Sequence, residues 1–327
     1  MNPASPTWLL QFALCAYGVG AFGSLLAARR DKLANLIGFG SATVASLGGL
    51  GAALLALTAE PAVEAATFEL WPSLIPSVKL AVKLDPLSAF FLLIVSLLAL
   101  ALSIYSFGYV RGFYGRKSVG ALGAFYNALL LATTLVFTAS NALFFLIAWE
   151  LMALTAYCLV SFEHEQAETR NAGVLFFIMS HIGTGCLILG FLLLFQASGQ
   201  ALGTFGADAY SFEGFRTLGS NLSPGRRDAA FLLFVFGFGV KAGIVPLHVW
   251  LPVAHPVAPS NASALLSGVD CGSSKGRVTT VPCAISLASR FFARGVVSRV
   301  ALALSGVTPS NKEVTINALP SANHVAR

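Results

Sequence analysis

Three ionisable side chains sit where a membrane helix has least room for them. Glu150 lies in LFFLIAWELMALTAYCLV, His181 in VLFFIMSHIGTGCLILG and Lys241 in FLLFVFGFGVKAGIV. Each is about 9–12 residues, or roughly 14–18 Å, from a helix end. That is the midplane of a hydrocarbon core about 30 Å thick. A charge at that depth costs roughly 2.5–3.5 kcal/mol on insertion scales, so such residues face a protein interior or a hydrated path. The chemistry suits proton handling. A cation that closes on a carboxylate favours its ionised form, and one that withdraws favours proton uptake. Histidine titrates at about pH 6.5 and relays through either ring nitrogen. A movement that opens and closes such a pair would load and unload a proton.

Plainer readings stand beside each residue. Glu150 could be one half of a structural ion pair, and His181 could hydrogen-bond to a neighbouring helix. Lys241 could pair two helices. His248 is a further candidate for the proton path; it and His255 would otherwise be solvated at the aqueous end of a broken helix. Trp8, Trp71, Trp149 and Trp250 read as interface or packing aromatics. Glu163–Glu168 (EHEQAE) reads as a solvated turn rather than a metal cluster. No phosphate loop, iron–sulfur cysteine motif or nucleophile triad occurs, so neither cofactor nor metal is expected. The five cysteines show no metal spacing, and Cys15, Cys158 and Cys186 lie in apolar runs as small hydrophobes.

The element that positions Lys241 breaks its own rules. The apolar run from Phe231 is followed by Gly243, Pro246, Pro252, Pro256 and Pro259. Gly243 and Pro246 break the helix, and carbonyls freed at membrane depth survive only where protein or water satisfies them. The composition agrees: 56% hydrophobic and 10% charged, against about 25% charged in soluble domains. The chain is expected to be all-α and polytopic, with about eight transmembrane helices and the seventh broken. The net charge of +6 misleads. Residues 1–269 hold 13 Lys/Arg against 12 Asp/Glu, and residues 270–327 hold 7 against 2. The basic excess therefore belongs to the last segment, and no nucleic-acid partner is expected.

In chain order, helices are predicted over Thr7–Ala28, Leu33–Leu57, Leu87–Tyr109, Leu122–Ala139, Ala142–Phe162 and Asn171–Phe195, then the broken seventh. An eighth begins after Pro259 and loses its apolar character at Asp270. Ser77–Leu84 alternates with strand period, which predicts a small hairpin at the membrane surface. Only Ser140 and Asn141 separate the fourth and fifth helices, a tight antiparallel pair. Lys/Arg in the short loops place the N-terminus outside.

The segments WELMALTAYCLV, FFIMSHIGTG and VKAGIVPLHVWLPVAHPVAPSNASALLSG resemble the proton-translocating, antiporter-like membrane subunits of respiratory complex I, cation/proton antiporters and membrane-bound hydrogenases. The last run is most similar to the hydrogenase-4 component B and formate hydrogenlyase subunit 3 type. The resemblance implies an N-terminal part of the complex I antiporter-like fold. Residues 1–121 would be its peripheral helices and 122–269 an incomplete first repeat. It further implies Glu150, His181 and Lys241 as proton-path residues, other membrane subunits and a peripheral hydrogenase or iron–sulfur arm as partners, and a bacterial inner membrane. Proton or sodium translocation coupled to redox chemistry in the partners would follow. Alternatives are an antiporter or complex I subunit, or a scaffold that transports nothing. After Val269 the family pattern stops at Asp270-Cys-Gly-Ser-Ser-Lys275. Residues 270–327 read as a disordered tail in a shifted frame, or else as natural truncation with a divergent tail. Lacking a second repeat, the chain by itself is expected not to be competent.

Overall fold

The computed structural model describes residues 5–58, 66–70, 79–218 and 222–267 of the 327. The expected tail from Asp270 lies outside the described residues. The chain folds as a helical bundle whose helices start where the sequence supplies caps. Helix α1 (Pro6–Leu26) starts with Pro6 behind Ser5, whose hydroxyl accepts the Trp8 N–H at 3.2 Å. Helix α2 (Asp31–Thr58) runs back against it. Helix α3 (Pro86–Tyr109) repeats the device: Asp85 accepts the Ser88 N–H at 2.7 Å ahead of Pro86. Ser118 caps α4 (Val119–Thr138), and Asn141 caps α5 (Ala142–Val160) through the Phe144 N–H at 2.9 Å. A proline with its ring already at helical φ, behind an oxygen that takes a first-turn N–H, fixes a start on sequence grounds alone.

The predicted hairpin is present. Strand β1 (Ala66–Glu69) pairs antiparallel with β2 (Ala81–Leu84), Ala66 opposite Leu84. Ser77 and Val78, expected to begin the second strand, lie outside the described residues. The hairpin rests on the α4–α5 turn, where Val82 bridges Ala139 and the Asn141 amide donates to the Lys79 carbonyl at 2.6 Å. Asn141 thus caps a helix and anchors a strand together.

Helix α6 (Ala167–Leu202) has 36 residues and is longer at both ends than the predicted Asn171–Phe195. At about 1.5 Å per residue it exceeds the roughly 30 Å core, so it tilts or projects. Nothing in its sequence stops it before Gly203, which takes the left-handed φ of 70°. The segment expected to be a loop therefore contributes helix as far as Leu202, then α7 (Phe212–Leu218). Helix α8 (Pro224–Ala242) follows, then α9 (Leu251–Val257) and α10 (Ser260–Ser267). Among the described residues six helices, α1 to α6, are long and apolar enough to cross a membrane. The broken seventh of the sequence reading corresponds to α8 and α9, and the eighth to α10. Outward faces show Val19, Phe22, Leu25 and Leu26 on α1 and Leu36, Val44 and Leu47 on α2, the pattern of a lipid-facing surface.

Polar side chains lock the first four helices. The buried Asn127 amide donates to the Gly38 and Gly123 carbonyls at 2.8 Å, tying α4 to α2. Its oxygen sits so close to Gly20 that any Cβ there would collide with it. Ser24 donates to Gly120 and Ala34, and Tyr17 meets Ser46 at 3.2 Å.

Candidate functional site

Helices α5, α6 and α8 carry the three predicted groups. The approach of α6 to α8 depends on small residues: a Cβ on Gly237 would meet the Gly183 carbonyl at 2.8 Å. Gly237 therefore serves the packing of α8 on α6.

Two of the three groups are in direct contact. Glu150 Oε2 lies 3.2 Å from His181 Nε2. The other ring nitrogen, Nδ1, is 2.9 Å from the Phe177 carbonyl one turn back on α6. That bond fixes the ring and aims Nε2 at α5; with Nδ1 as donor, Nε2 is donor only when the ring is protonated. The Phe177 ring lies 4.0 Å from the imidazole, closing one side of it.

Lys241 is not hydrogen-bonded to Glu150. Its Nζ is shielded from solvent without a hydrogen-bond partner among the described residues, and so is Glu150 Oε1. The ammonium lies over two aromatic faces instead, 5.2 Å from the Phe176 ring centre and 5.9 Å from that of Trp149. Both fall within the range over which a ring quadrupole attracts a cation. Glu150 thus has one oxygen committed to His181 and one uncommitted, with Lys241 close by on aromatic ground.

The break is where the sequence placed it. Helix α8 ends at Ala242 because Gly243 turns left-handed at φ 65°, and its N–H returns to the Val240 carbonyl at 3.3 Å. A Cβ on Gly243 would also displace the end of the Leu251 side chain, 2.8 Å away. Pro246 follows in the turn before α9. His248 lies in that turn, packed beside Gly243. Among the described residues no hydrogen bond or ion pair joins it to Glu150, His181 or Lys241, and its Nδ1 is shielded and unpartnered. His255, on α9, meets Ser263 of α10 at 3.5 Å.

Sequence reasoning missed the aromatic residues. Trp149 and Trp250 were expected at interfaces or in packing, yet both belong to the site. Trp250 is 6% exposed, donates its indole N–H to the Val240 carbonyl at 2.7 Å and meets the Phe176 ring edge-on at 5.1 Å. The position of Trp149 directly before Glu150 was the one available signal. Trp250 had none, because its partner lies ten residues back across a proline turn. On the hairpin side of the site, Phe145, Phe191, Phe234 and Phe238 pack ring to ring with Trp149 and leave an apolar barrier.

Comparison with known proteins now bears on this geometry. The family model described as NADH:quinone oxidoreductase/Mrp antiporter, TM, matches residues 139–289, which contain Glu150, His181, Lys241 and His248. A second, described as the complex I chain 5 N-terminus, matches residues 74–116. Over these two stretches the chain matches the antiporter-like membrane-subunit family. Hydrogenase-4 component B of Escherichia coli (strain K12) is 42% identical over 190 residues, 58% of this chain and 26% of that protein. Formate hydrogenlyase subunit 3 of the same organism is 33% identical over 189 residues, 58% of this chain and 27% of that protein. The match thus spans about a quarter of the length of these relatives. A solved structure of the membrane-bound sulfane sulfur reductase, an archaeal respiratory membrane complex, superposes with a TM-score of 0.68. At 16% identity, over 91% of this chain and 54% of that one, it shows the shared all-α, multi-pass fold.

Proposed function

We propose that the chain is part of a membrane subunit that translocates protons, or sodium, coupled to redox chemistry carried out by partner subunits. The observation that carries this is the Glu150–His181 contact at 3.2 Å beside a shielded, unbonded Lys241 ammonium. An acid with two alternative cationic partners at midplane depth gains or loses a proton according to which partner is near. His181 relays through Nε2, and His248 would join at the turn after the break. The hydrogenase type is preferred because of the relatives with that name. A bacterial inner membrane and a peripheral iron–sulfur arm are proposed with it. A cation/proton antiporter or complex I subunit is the second reading, favoured by the name of the family model that covers the site. Gene neighbours encoding hydrogenase or antiporter partners would separate the two.

The segment from Asp270 is proposed to be read in a shifted frame, and sequencing the DNA across the codons for Val269 and Asp270 tests it. The family sequence resuming in another frame supports the shift; its absence sinks it. For the activity, the positions matching Glu150 and Lys241 in a full-length relative would be changed to Gln and Ala and the complex reconstituted in vesicles. Proton coupling is expected to fall to background in each. Unchanged coupling would favour a scaffold whose ion pair is structural.

A further inference from the structure

We propose that Phe176, Trp149 and Trp250 form an aromatic latch that parks the Lys241 ammonium away from Glu150 and leaves Glu150 to His181. The proposal rests on the translocation reading above and adds what controls the partner exchange. The parking place is built from two elements: Trp149 on α5 and Phe176 on α6 hold the ammonium at 5.9 and 5.2 Å. Glu150 of α5 is the charged group that acts on it, and His181 of α6 holds the other Glu150 oxygen at 3.2 Å.

The third ring connects this seat to the broken helix. Trp250 stands at the start of α9, and its ring braces Phe176 edge-on at 5.1 Å. Its indole N–H donates at 2.7 Å to the carbonyl of Val240, the residue directly before Lys241. That carbonyl is available because Gly243 ends the α8 ladder there; among the described residues it otherwise accepts the Gly243 N–H, at 3.3 Å. The segment after the break therefore grips the lysine-bearing turn and the ring beneath the lysine with one side chain. A shift of α9 relative to α8 would break the Val240 bond and unbrace Phe176 together. The ammonium would lose its aromatic faces and turn to the uncommitted Glu150 Oε1. Trp250 and Phe176 are positioning residues in this scheme, because they act on Glu150 only through Lys241.

The test reads lysine position directly. The full 327-residue chain would be placed in lipid nanodiscs with isotope-labelled lysine, tryptophan, phenylalanine and glutamate. Dipolar-recoupling NMR would then measure contacts of Lys241 Nζ, assigned by their disappearance in Lys241→Met. The wild-type chain should show contacts to the Trp149 and Phe176 rings. Trp250→Phe keeps a ring but removes the N–H donor; it should weaken those contacts roughly fivefold, the scale of one partly shielded cation–π contact, and bring up a Lys241–Glu150 contact. Phe176→Leu, read through Trp149 alone, should do the same and covers the case in which Trp250→Phe misfolds. Wild-type chain without the ring contacts, or folded variants that keep them unchanged, would overturn the latch. Because this measures geometry and not transport, loss of the latch would leave the translocation reading standing. Failure of the vesicle experiment would remove that reading whatever the NMR contacts show.

Discussion

Two parts of this bundle set polar side chains within or at the ends of apolar helices and use them in opposite ways. In α1 to α4 the groups are neutral. Asn127, Ser24 and Tyr17 bond to carbonyls or hydroxyls of adjacent helices, and Gly20, Gly38 and Gly123 let the backbones close in. In α5, α6 and α8 the groups are ionisable, and Glu150 and Lys241 each keep a shielded polar atom without a hydrogen bond. Neutral polarity locks helices together even though Asn127 Oδ1 is itself buried without a hydrogen bond, whereas an unpaired charge is far costlier and persists where a second arrangement exists to use it. The contrast sets structural polarity beside the polarity proposed for proton transfer within one chain.

The largest expected effect lies in the locked region. Gly20→Leu drives a side chain into Asn127 and should cost about 1–3 kcal/mol, read as a lower unfolding temperature in detergent or lipid. A stability equal to the unsubstituted chain would show that α1 and α4 do not pack as described. The site should behave in the reverse sense. Lys241→Met removes an ammonium without a hydrogen bond and leaves an apolar side chain over Phe176, so stability should hold or rise by up to about 1 kcal/mol. A clear loss would make the lysine structural and erase the contrast.

The smallest effect lies outside the membrane. The hydrogen bond from Lys117 holds the Glu165 carboxyl below the ordinary carboxylate range. A carboxylate depressed in the fold stabilises above its unfolded pKa and loses that contribution as pH falls through the folded value. Acidification through the carboxylate range should therefore loosen the loop before α6, slightly and less so at high salt. Glu165→Gln should remove that acid sensitivity; its persistence would assign the effect to another group.

How much of this was legible beforehand follows from the kind of signal each part emits. Helix starts were readable at Pro6, Pro86 and Asn141, because caps and prolines act locally. The end of α6 was misplaced because its last turns are polar yet contain no breaker before Gly203. Glu150, His181 and Lys241 declared themselves by cost, since an ionisable residue in an apolar run needs a reason. Which partner Glu150 takes was not legible. The choice depends on the Phe177 carbonyl turning His181 toward α5, and on a tryptophan beyond the break, both matters of tertiary geometry. Aromatic residues hide well in a membrane sequence, where every helix offers several.

The central claim is that Glu150 changes protonation with the cation beside it. Infrared difference spectroscopy on the full chain in lipid, across a pH step, tests it most directly. The account predicts a carboxyl band that disappears in Glu150→Gln and moves in Lys241→Met, while Asn127→Leu leaves it in place. A spectrum with no band dependent on Glu150, or one indifferent to Lys241, would contradict it.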